Sequence, residues 1–479
     1  MEAKLPPFVK KIVNTLEKDG REIYIVGGVV RDLVIGRPSL DWDFTTDAAP
    51  EIIMALFPDS YYDNKFGTVG VVNPEEKKSL EEAKDHKHAP LTDYYHYQLP
   101  VYEITTFRKE GHYSDKRHPD EVVWGKTLEE DLVRRDFTMN AMALKAAKGQ
   151  DLSNVTWQFE IIDPHGGRED IKRKLIRAVG DPNKRFQEDA LRMLRAVRLA
   201  TQLRFTIEQK TFEAIKRNLS LIDFVSGERI RDELLKLLSY PNADEGYLLL
   251  HDLGLAEKIL PEVERGFGVE QKSPGRHHLW DVGTHSVLSL KNTHSDNPIV
   301  KLAALIHDIG KPLVADKTPE GTITFYNHET VGATLAKSIG YRLKLSKKDI
   351  TKLVTLVRWH QFTVDERQTE KAIKRFARNV GKDNLDDMLV LRTADRIGGG
   401  AKESSWRLEK FKQKLIEAQK QPFTVADLKI DGHDVMKELN LRPGRRVGEI
   451  LNELFEKVCE DEVSNDREVL LKKIQNYKS

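Results

Sequence analysis

The sequence predicts an α+β fold, in which an N-terminal head mixing strands and helices is followed by an all-helical remainder. Three observations carry this. β-rich runs lie in the first third, at EIYIVGG (22–28), TVGVV (68–72) and YEITTF (102–107). From about residue 168 onward apolar residues recur at three- and four-residue steps with few β-branched runs, the pattern of amphipathic helices. The length of 479 residues suggests roughly three domains at ~150 residues each.

Taken in order, Phe8, Ile12, Val13 and Leu16 stand at helical spacing over 8–18. EIYIVGG reads as a strand ending in a double glycine, and VVRDLVIG (29–36) as a helix stopped by Gly36. TVGVV and YEITTF follow as strands, separated by a charged, His- and Tyr-bearing stretch, 74–97, that reads as a solvated insertion with no assigned role. DALRMLRAVRLATQL, RIRDELLKLL, YLLLHDLGLAEKIL and GEILNELFEKVCEDE read as helices. PFTVADLKIDGHD (422–434) reads as a linker into a small terminal module. The expected division is 1–145, 146–240, 241–402 and 403–479.

Composition removes several function classes. Lys+Arg is 77 and Asp+Glu 76, so a uniformly basic nucleic-acid coat is absent, while local patches remain open. One cysteine, Cys459, excludes an intrachain disulfide framework and a cysteine-built zinc site. The N-terminus has no apolar signal-peptide core, and no run of ~18 apolar residues predicts a membrane span. The cytoplasm is the expected compartment. Fifteen histidines beside one cysteine direct attention to His and carboxylate metal chemistry.

The strongest chemical pattern is strand, Gly27-Gly28, helix with Arg31, then Asp41-Trp42-Asp43-Phe44. On a strand, residues two apart share a face. Asp41 and Asp43 can then share two Mg²⁺ ions, one acidifying an attacking hydroxyl and one holding a triphosphate. The glycines allow close backbone approach to phosphate. Glu103, between Tyr102 and Ile104, is the candidate third acid. Alone, the double glycine is an ordinary strand–turn–helix and Asp-Trp-Asp a solvated turn; together and in this order they point to metal-assisted chemistry.

This order of motifs resembles the polymerase-β-like nucleotidyltransferase superfamily. More narrowly, GGVVRDLVIGR and LDWDF resemble the opening motif of the class II tRNA nucleotidyltransferases (CCA-adding enzymes) and the related bacterial poly(A) polymerases. RRDFTMNAMA (134–143), DPHGGREDI (163–171), EDALRMLRAVR (188–198) and SGERIRDEL (226–234) resemble that family's later motifs, in order. The resemblance implies a head with a mixed sheet, a helical neck, and a 3′-terminal tRNA substrate extended from CTP and ATP without a nucleic-acid template. It implies that Asp189 and Arg192 read the base and that Arg195 and Arg198 lie on the triphosphate side. It places Arg135, Asp136 and Asn140 at phosphate or ribose. A carboxylate accepting from an exocyclic amine and a guanidinium donating to ring nitrogen or carbonyl suit C and A, but not U or G. Seen alone, EDALRMLRAVR is equally a solvated helix with i,i+3 and i,i+4 ion pairs. Residues 168–217 carry fourteen Lys/Arg against seven Asp/Glu, a local excess fit for RNA.

FRKEGHYSDKRHPDEVVWG (107–125) resembles the flexible loop of enzymes that switch from C to A addition, which argues against CC-only addition. KFGTVGVV (65–72) lacks the paired basic residues usual in the poly(A) polymerases. Full CCA addition, A-only addition and poly(A) polymerisation remain open, with tRNA maturation preferred.

A second set, His285, His307-Asp308, His328, His360 and Asp395, resembles the HD phosphohydrolase superfamily. The resemblance implies that His285, His307, Asp308 and Asp395 hold a divalent metal such as Mn²⁺, Ni²⁺ or Mg²⁺. His328 and His360 would take a second ion or the phosphate, with Lys311 a phosphate-side companion. The contrasting readings are a relic set of structural histidines, and a metal phosphohydrolase whose head only senses nucleotide. The terminal module, with PGRR at 443–446, resembles the family's tRNA-binding tail; a plain helical cap is the alternative.

Overall fold

An eight-stranded mixed sheet organises the N-terminal unit of the protein. The structure, a computed structural model, describes residues 1–39, 41–63, 67–76, 101–109, 124–271, 279–362, 369–418, 425–460 and 462–477. These form two compact units, Met1–Ser226 and Gly227–Ser479.

The strands of this sheet are β1 (Glu2–Lys4), β2 (Ile23–Val26), β3 (Asp43–Thr46), β4 (Ser60–Asp63), β5 (Thr68–Val72), β6 (Val101–Thr106), β7 (Ala143–Ala146) and β8 (Thr156–Ile162). Their order in the sheet is β1-β8-β7-β2-β3-β6-β5-β4. Only β3 and β6 pair in parallel, which makes the sheet mixed. β2 is buried along its whole length, as its unbroken IYIV apolar run requires of a central strand. The helix Pro7–Lys18 starts on a proline at its first turn and buries Phe8, Val9, Ile12, Val13 and Leu16, the expected stripe. The helix Gly28–Ile35 follows β2 at once and ends at Gly36, which is left-handed. Strands β1, β4, β7 and β8 are additions to the sequence reading. The 74–97 insertion beyond residue 76, and 110–123 of the loop at 107–125, lie outside the described residues.

One expected helix begins two residues late, leaving Asp189 off it. DALRMLRAVRLATQL does not begin at Asp189: a helix Pro182–Glu188 stops there, and a second, Leu191–Leu203, begins beyond it. The Asp189 carboxylate accepts from the Leu191 amide at 3.1 Å, a cap-like bond that competes with helical continuation. Gly254, left-handed, divides YLLLHDLGLAEKIL into Ala243–Leu253 and Leu255–Ile259.

The second unit is almost wholly helical. Val282–Lys291 packs on Leu385–Gly398 and on Pro298–Ile306, and His328–Arg342 packs on Lys347–Trp359. At the C-terminal end, part of the segment read as a linker belongs to the terminal module. Leu428 and Ile430 are buried in its core with Val435, Ile450 and Leu454, and Asp431 caps the helix Gly432–Leu439. Among the described residues no helix is long and apolar enough to cross a membrane.

Candidate functional sites

In the first unit, β2 ends at Val26 and hands the chain to Gly27, whose φ of 80° and ψ of −145° belong to a region open almost only to glycine. A Cβ built there would stand 3.0 Å from an Asp43 carboxylate oxygen and 3.5 Å from Arg135 Nη1. Gly27 is therefore the point where backbone, acid and guanidinium meet. We expect Gly27→Ala to lose about 1–3 kcal/mol of stability from backbone strain. It should also weaken nucleotide binding, checked by thermal unfolding and by the KM for nucleoside triphosphate.

Asp43 opens β3, and the parallel register sets Glu103 of β6 directly beside it. Asp41 lies just ahead of the strand rather than on it. Burial, then Asp41, then Glu103 push the Asp43 carboxyl up to about 7, against the pull of Arg135 and Arg195. Glu103, exposed at its strand position, is also raised, first by partial loss of water and then by Asp41. Three mutually repelling carboxyls of this kind are a hard-oxygen donor set that fits Mg²⁺.

A cavity of about 280 Å³ joins this acidic end to a basic and polar end. Gly27, Gly28, Asp43, Glu103, Arg135, Asp136, Asn140, Asp189, Arg192 and Arg195 all line it. Asp136 is buried, bonds Asn140 Nδ2 at 3.2 Å and pairs with Arg195 at 2.9 Å. Burial opposes its charge, yet Arg195 and Arg192 hold its carboxyl below the usual range. Arg192 is held on three sides: Glu188 at 2.6 Å, the Arg185 carbonyl at 3.0 Å and the Arg134 carbonyl at 2.9 Å. Glu188 also grips Arg185 at 2.7 Å, so one carboxylate ties the end of Pro182–Glu188 to Arg192.

Three expected residues do not line this cavity: Asp41, just ahead of β3, Arg31 and Arg198. Arg31 is buried, donates to Asn140 Oδ1 at 3.0 Å and pairs with Asp32, so it stands behind Asn140. Arg198, half-buried on its helix, bonds Gln202 at 3.3 Å. Arg108, Arg134 and Thr105 line the cavity without having been singled out. Arg134 had a signal, as the neighbour of Arg135 in RRD; Arg108 and Thr105 depend on the β6 register and had none.

In the second unit all six His and Asp residues converge. His285 Nε2 and His307 Nε2 lie 3.1 Å apart. Asp395 Oδ1 is 3.1 Å from His285 and 3.7 Å from His307. Asp308 divides its oxygens. Oδ2 faces His307 at 3.2 Å and His285 at 3.5 Å, while Oδ1 faces His328 at 3.4 Å and His360 at 3.5 Å. The sets His285–His307–Asp395 and His307–Asp308–His360 each have metal-ligand geometry. His307, His328 and His360 each set Nδ1 against the carbonyl three residues back, at 2.7, 2.8 and 2.7 Å. Donation from Nδ1 leaves each Nε2 lone pair available to a cation. Burial lowers the His307 pKa, but Asp308 and Asp395 override it and push it up to about 10, so a cation drawn by the same carboxylates would take the place of the Nε2 proton. The donor set fits a divalent transition metal or Mg²⁺.

A cavity of about 380 Å³ opens on this cluster, lined also by Lys311 and Arg392. Lys311 bonds Asp308 Oδ2 and Gln271 Oε1, both at 2.6 Å, and Arg392 bonds Asp395 at 2.8 Å. Gly310 makes the packing close enough: a Cβ there would come within 2.1 Å of the His328 carbonyl.

Comparisons with known proteins show which family the chain resembles along its length. Residues 23–177 match the family described as poly A polymerase head domain, 204–267 the RNA and SrmB-binding site of polymerase A, and 326–474 tRNA nucleotidyltransferase domain 2. The chain is 31% identical to the CCA-adding enzyme of Ligilactobacillus salivarius over 98% of its own length and 96% of that protein. It is 36% identical to the A-adding tRNA nucleotidyltransferase of Deinococcus radiodurans, over 71% of this chain and 77% of the other. Its match to the CCA-adding enzyme of Geobacillus thermodenitrificans, 41% identical, spans 54% of this chain and 57% of that relative. Among solved structures, the Bacillus stearothermophilus CCA-adding enzyme in complex with CTP superposes with a TM-score of 0.60 at 29% identity, covering 99% of this chain and 98% of the other.

Proposed function

The chain belongs to the tRNA nucleotidyltransferase family that contains the CCA-adding enzymes, and from that premise we propose that it adds C and A residues to the 3′ end of tRNA from CTP and ATP. The observation that carries this reading is the single cavity with Asp43 and Glu103 at one end and Asp189 and Arg192 at the other. Metal chemistry and base choice then act on one nucleotide.

In this mechanism Asp41, Asp43 and Glu103 would hold two Mg²⁺ ions. When bound, such ions acidify the attacking 3′-hydroxyl and neutralise the triphosphate. Gly27 and Gly28 let the backbone close on the phosphates. Arg135 and Arg195 supply cationic contacts beside Asp43, and Arg198 extends the basic face. Asp136 and Asn140, backed by Arg31, form the ribose side. Asp189 accepts from the exocyclic amine shared by C and A, while Arg192, held by Glu188, donates to the ring. The 3′-oxygen attacks the α-phosphorus and pyrophosphate leaves. The segments 1–145, 146–240 and 403–479 serve as catalytic head, base-reading neck and tRNA-binding tail.

The test is to sequence the 3′ ends of tRNAs lacking A, CA or CCA after incubation with all four nucleoside triphosphates. Ordered CCA completion is expected. A alone, added only after CC, would identify an A-adding enzyme, and long A runs on oligo(A) a poly(A) polymerase. A readout on base choice is separate: Asp189→Ala should cut the preference for C and A over U by roughly tenfold or more. An unchanged preference in a folded variant would remove Asp189 from base reading.

A second activity is favoured by the convergence of six His and Asp side chains in the second unit, four of which, Asp308, His328, His360 and Asp395, line one cavity. We propose that segment 241–402 is an HD domain that hydrolyses a phosphoester with Mn²⁺, Ni²⁺ or Mg²⁺. Its ligands would be His285, His307, Asp308 and Asp395, with His328 and His360 serving a second ion or the phosphate.

A further inference from the structure

The two arginines of the RRD motif are held from behind by an acid outside the motif. The helix Leu128–Val133, capped by Thr127, carries Asp131, whose side chain is fully buried. Its two oxygens are shared out. Oδ1 accepts from Arg134 Nε at 3.0 Å and Nη2 at 2.6 Å; Oδ2 accepts from Arg135 Nε at 3.3 Å and Nη2 at 2.9 Å. Oδ1 also receives the Arg108 backbone amide at 3.4 Å, where β6 gives way to the 107–125 loop. Burial alone would disfavour this charge, but Arg135 and Arg134 hold the carboxyl well below its usual range.

The geometry of a guanidinium makes this consequential. Its five donors lie in one plane, and a carboxylate taking the Nε–Nη2 edge fixes which way the remaining edge looks. For Arg135 that remaining edge is Nη1, 3.5 Å from the Cβ position of Gly27, in the cavity beside Asp43. Asp43 attracts this side chain, and Asp131 is the acid that occupies its Nε–Nη2 edge and so opposes a turn of that edge onto Asp43. After such a turn Arg135 would neutralise the acids that must hold metal. The same hold reaches the base-reading end, because the Arg134 carbonyl accepts from Arg192 Nη2 at 2.9 Å.

We propose that Asp131 is a positioning residue that clamps Arg134 and Arg135 by their Nε edges, keeping Arg135 Nη1 presented to the triphosphate and off Asp43 and Glu103. The proposal rests on the reading of Arg135 as a triphosphate contact. The experiment uses the full chain and measures KM for CTP and ATP, kcat, the Mg²⁺ concentration for half-maximal rate, and thermal unfolding. For Asp131→Asn we expect KM to rise roughly ten- to hundredfold, the scale of a lost charge-assisted contact, and the Mg²⁺ requirement to rise with it. In an Arg135→Ala background, the KM effect of Asp131→Asn should shrink to within a few-fold, since only the hold on Arg134 remains. Equal effects in both backgrounds, or a folded Asp131→Asn with unchanged KM and Mg²⁺ requirement, would overturn the clamp. If Asp131→Asn does not fold, Arg135→Lys decides: an ammonium has no planar edge for Asp131 to hold while a second edge faces the triphosphate, so KM should rise as in Arg135→Ala, and a near-normal KM would overturn the proposal. An Arg135→Ala enzyme with normal KM would instead overturn the underlying assignment of Arg135.

Discussion

Asp43→Ala is expected to lose nucleotide addition by at least about a thousandfold, ~4 kcal/mol in the barrier, with no loss of fold. The rate falls because Asp43 is the acid shared by the whole cluster: it opens β3, lies in register with Glu103, and is crowded by Asp41. Stability should hold or improve, since one of three repelling carboxyls is removed from a site where their proximity is unfavourable. The measurement pairs single-turnover incorporation of CTP with thermal unfolding. A folded Asp43→Ala protein that incorporates nucleotide at the normal rate would remove the acids from the mechanism.

In the second unit, Asp308→Asn is expected to behave in the opposite way on stability. Asp308 is buried against Lys311 and four imidazole rings, and an uncharged replacement leaves Lys311 facing the His cluster. A loss of about 3–5 kcal/mol follows from breaking a buried ion pair. Elemental analysis should show the bound divalent metal gone from the purified variant, and Mn²⁺- or Ni²⁺-dependent phosphoester hydrolysis should fall to background. CCA addition should stay within about twofold at temperatures where the variant is folded, because its cavity is built from the other unit. Full metal content in Asp308→Asn would argue that the His and Asp cluster is structural.

What the sequence revealed followed from local chemistry. The double glycine, the paired aspartates and the strand around Glu103 are short-range patterns, and the structure brings Asp43 and Glu103 together by direct strand pairing. The order of His and Asp residues was readable for the same reason. What escaped was longer in range or ambiguous in propensity. β7 is recruited by pairing with β2 across more than a hundred residues of chain, and β8 by pairing with the neighbouring β7 and with distant β1, so tertiary pairing rather than local propensity makes these short runs strands. The break at Asp189 was hidden because the flanking residues all favour helix and only the side-chain bond to Leu191 decides otherwise. Asp131 was legible in principle, three and four residues ahead of two arginines, but on a solvated helix face that spacing is common and only burial gives it weight. The Nδ1 bonds that orient three histidines go to backbone carbonyls, which every sequence has.

The hairpin formed by β5 and β6 bears on how this head can change over evolutionary time. Val72 and Val101 are paired partners, so the chain leaves and re-enters the sheet at neighbouring points. Between them, insertions lengthen a loop already closed at its base, and each doubling of such a loop costs only ~0.6 kcal/mol. The alignment of Glu103 with Asp43 is set by β3 and not by the length of that loop. Lineages can therefore lengthen, trim or replace the connection without retuning the acids, which makes it a natural port for grafting new modules onto an old catalytic core.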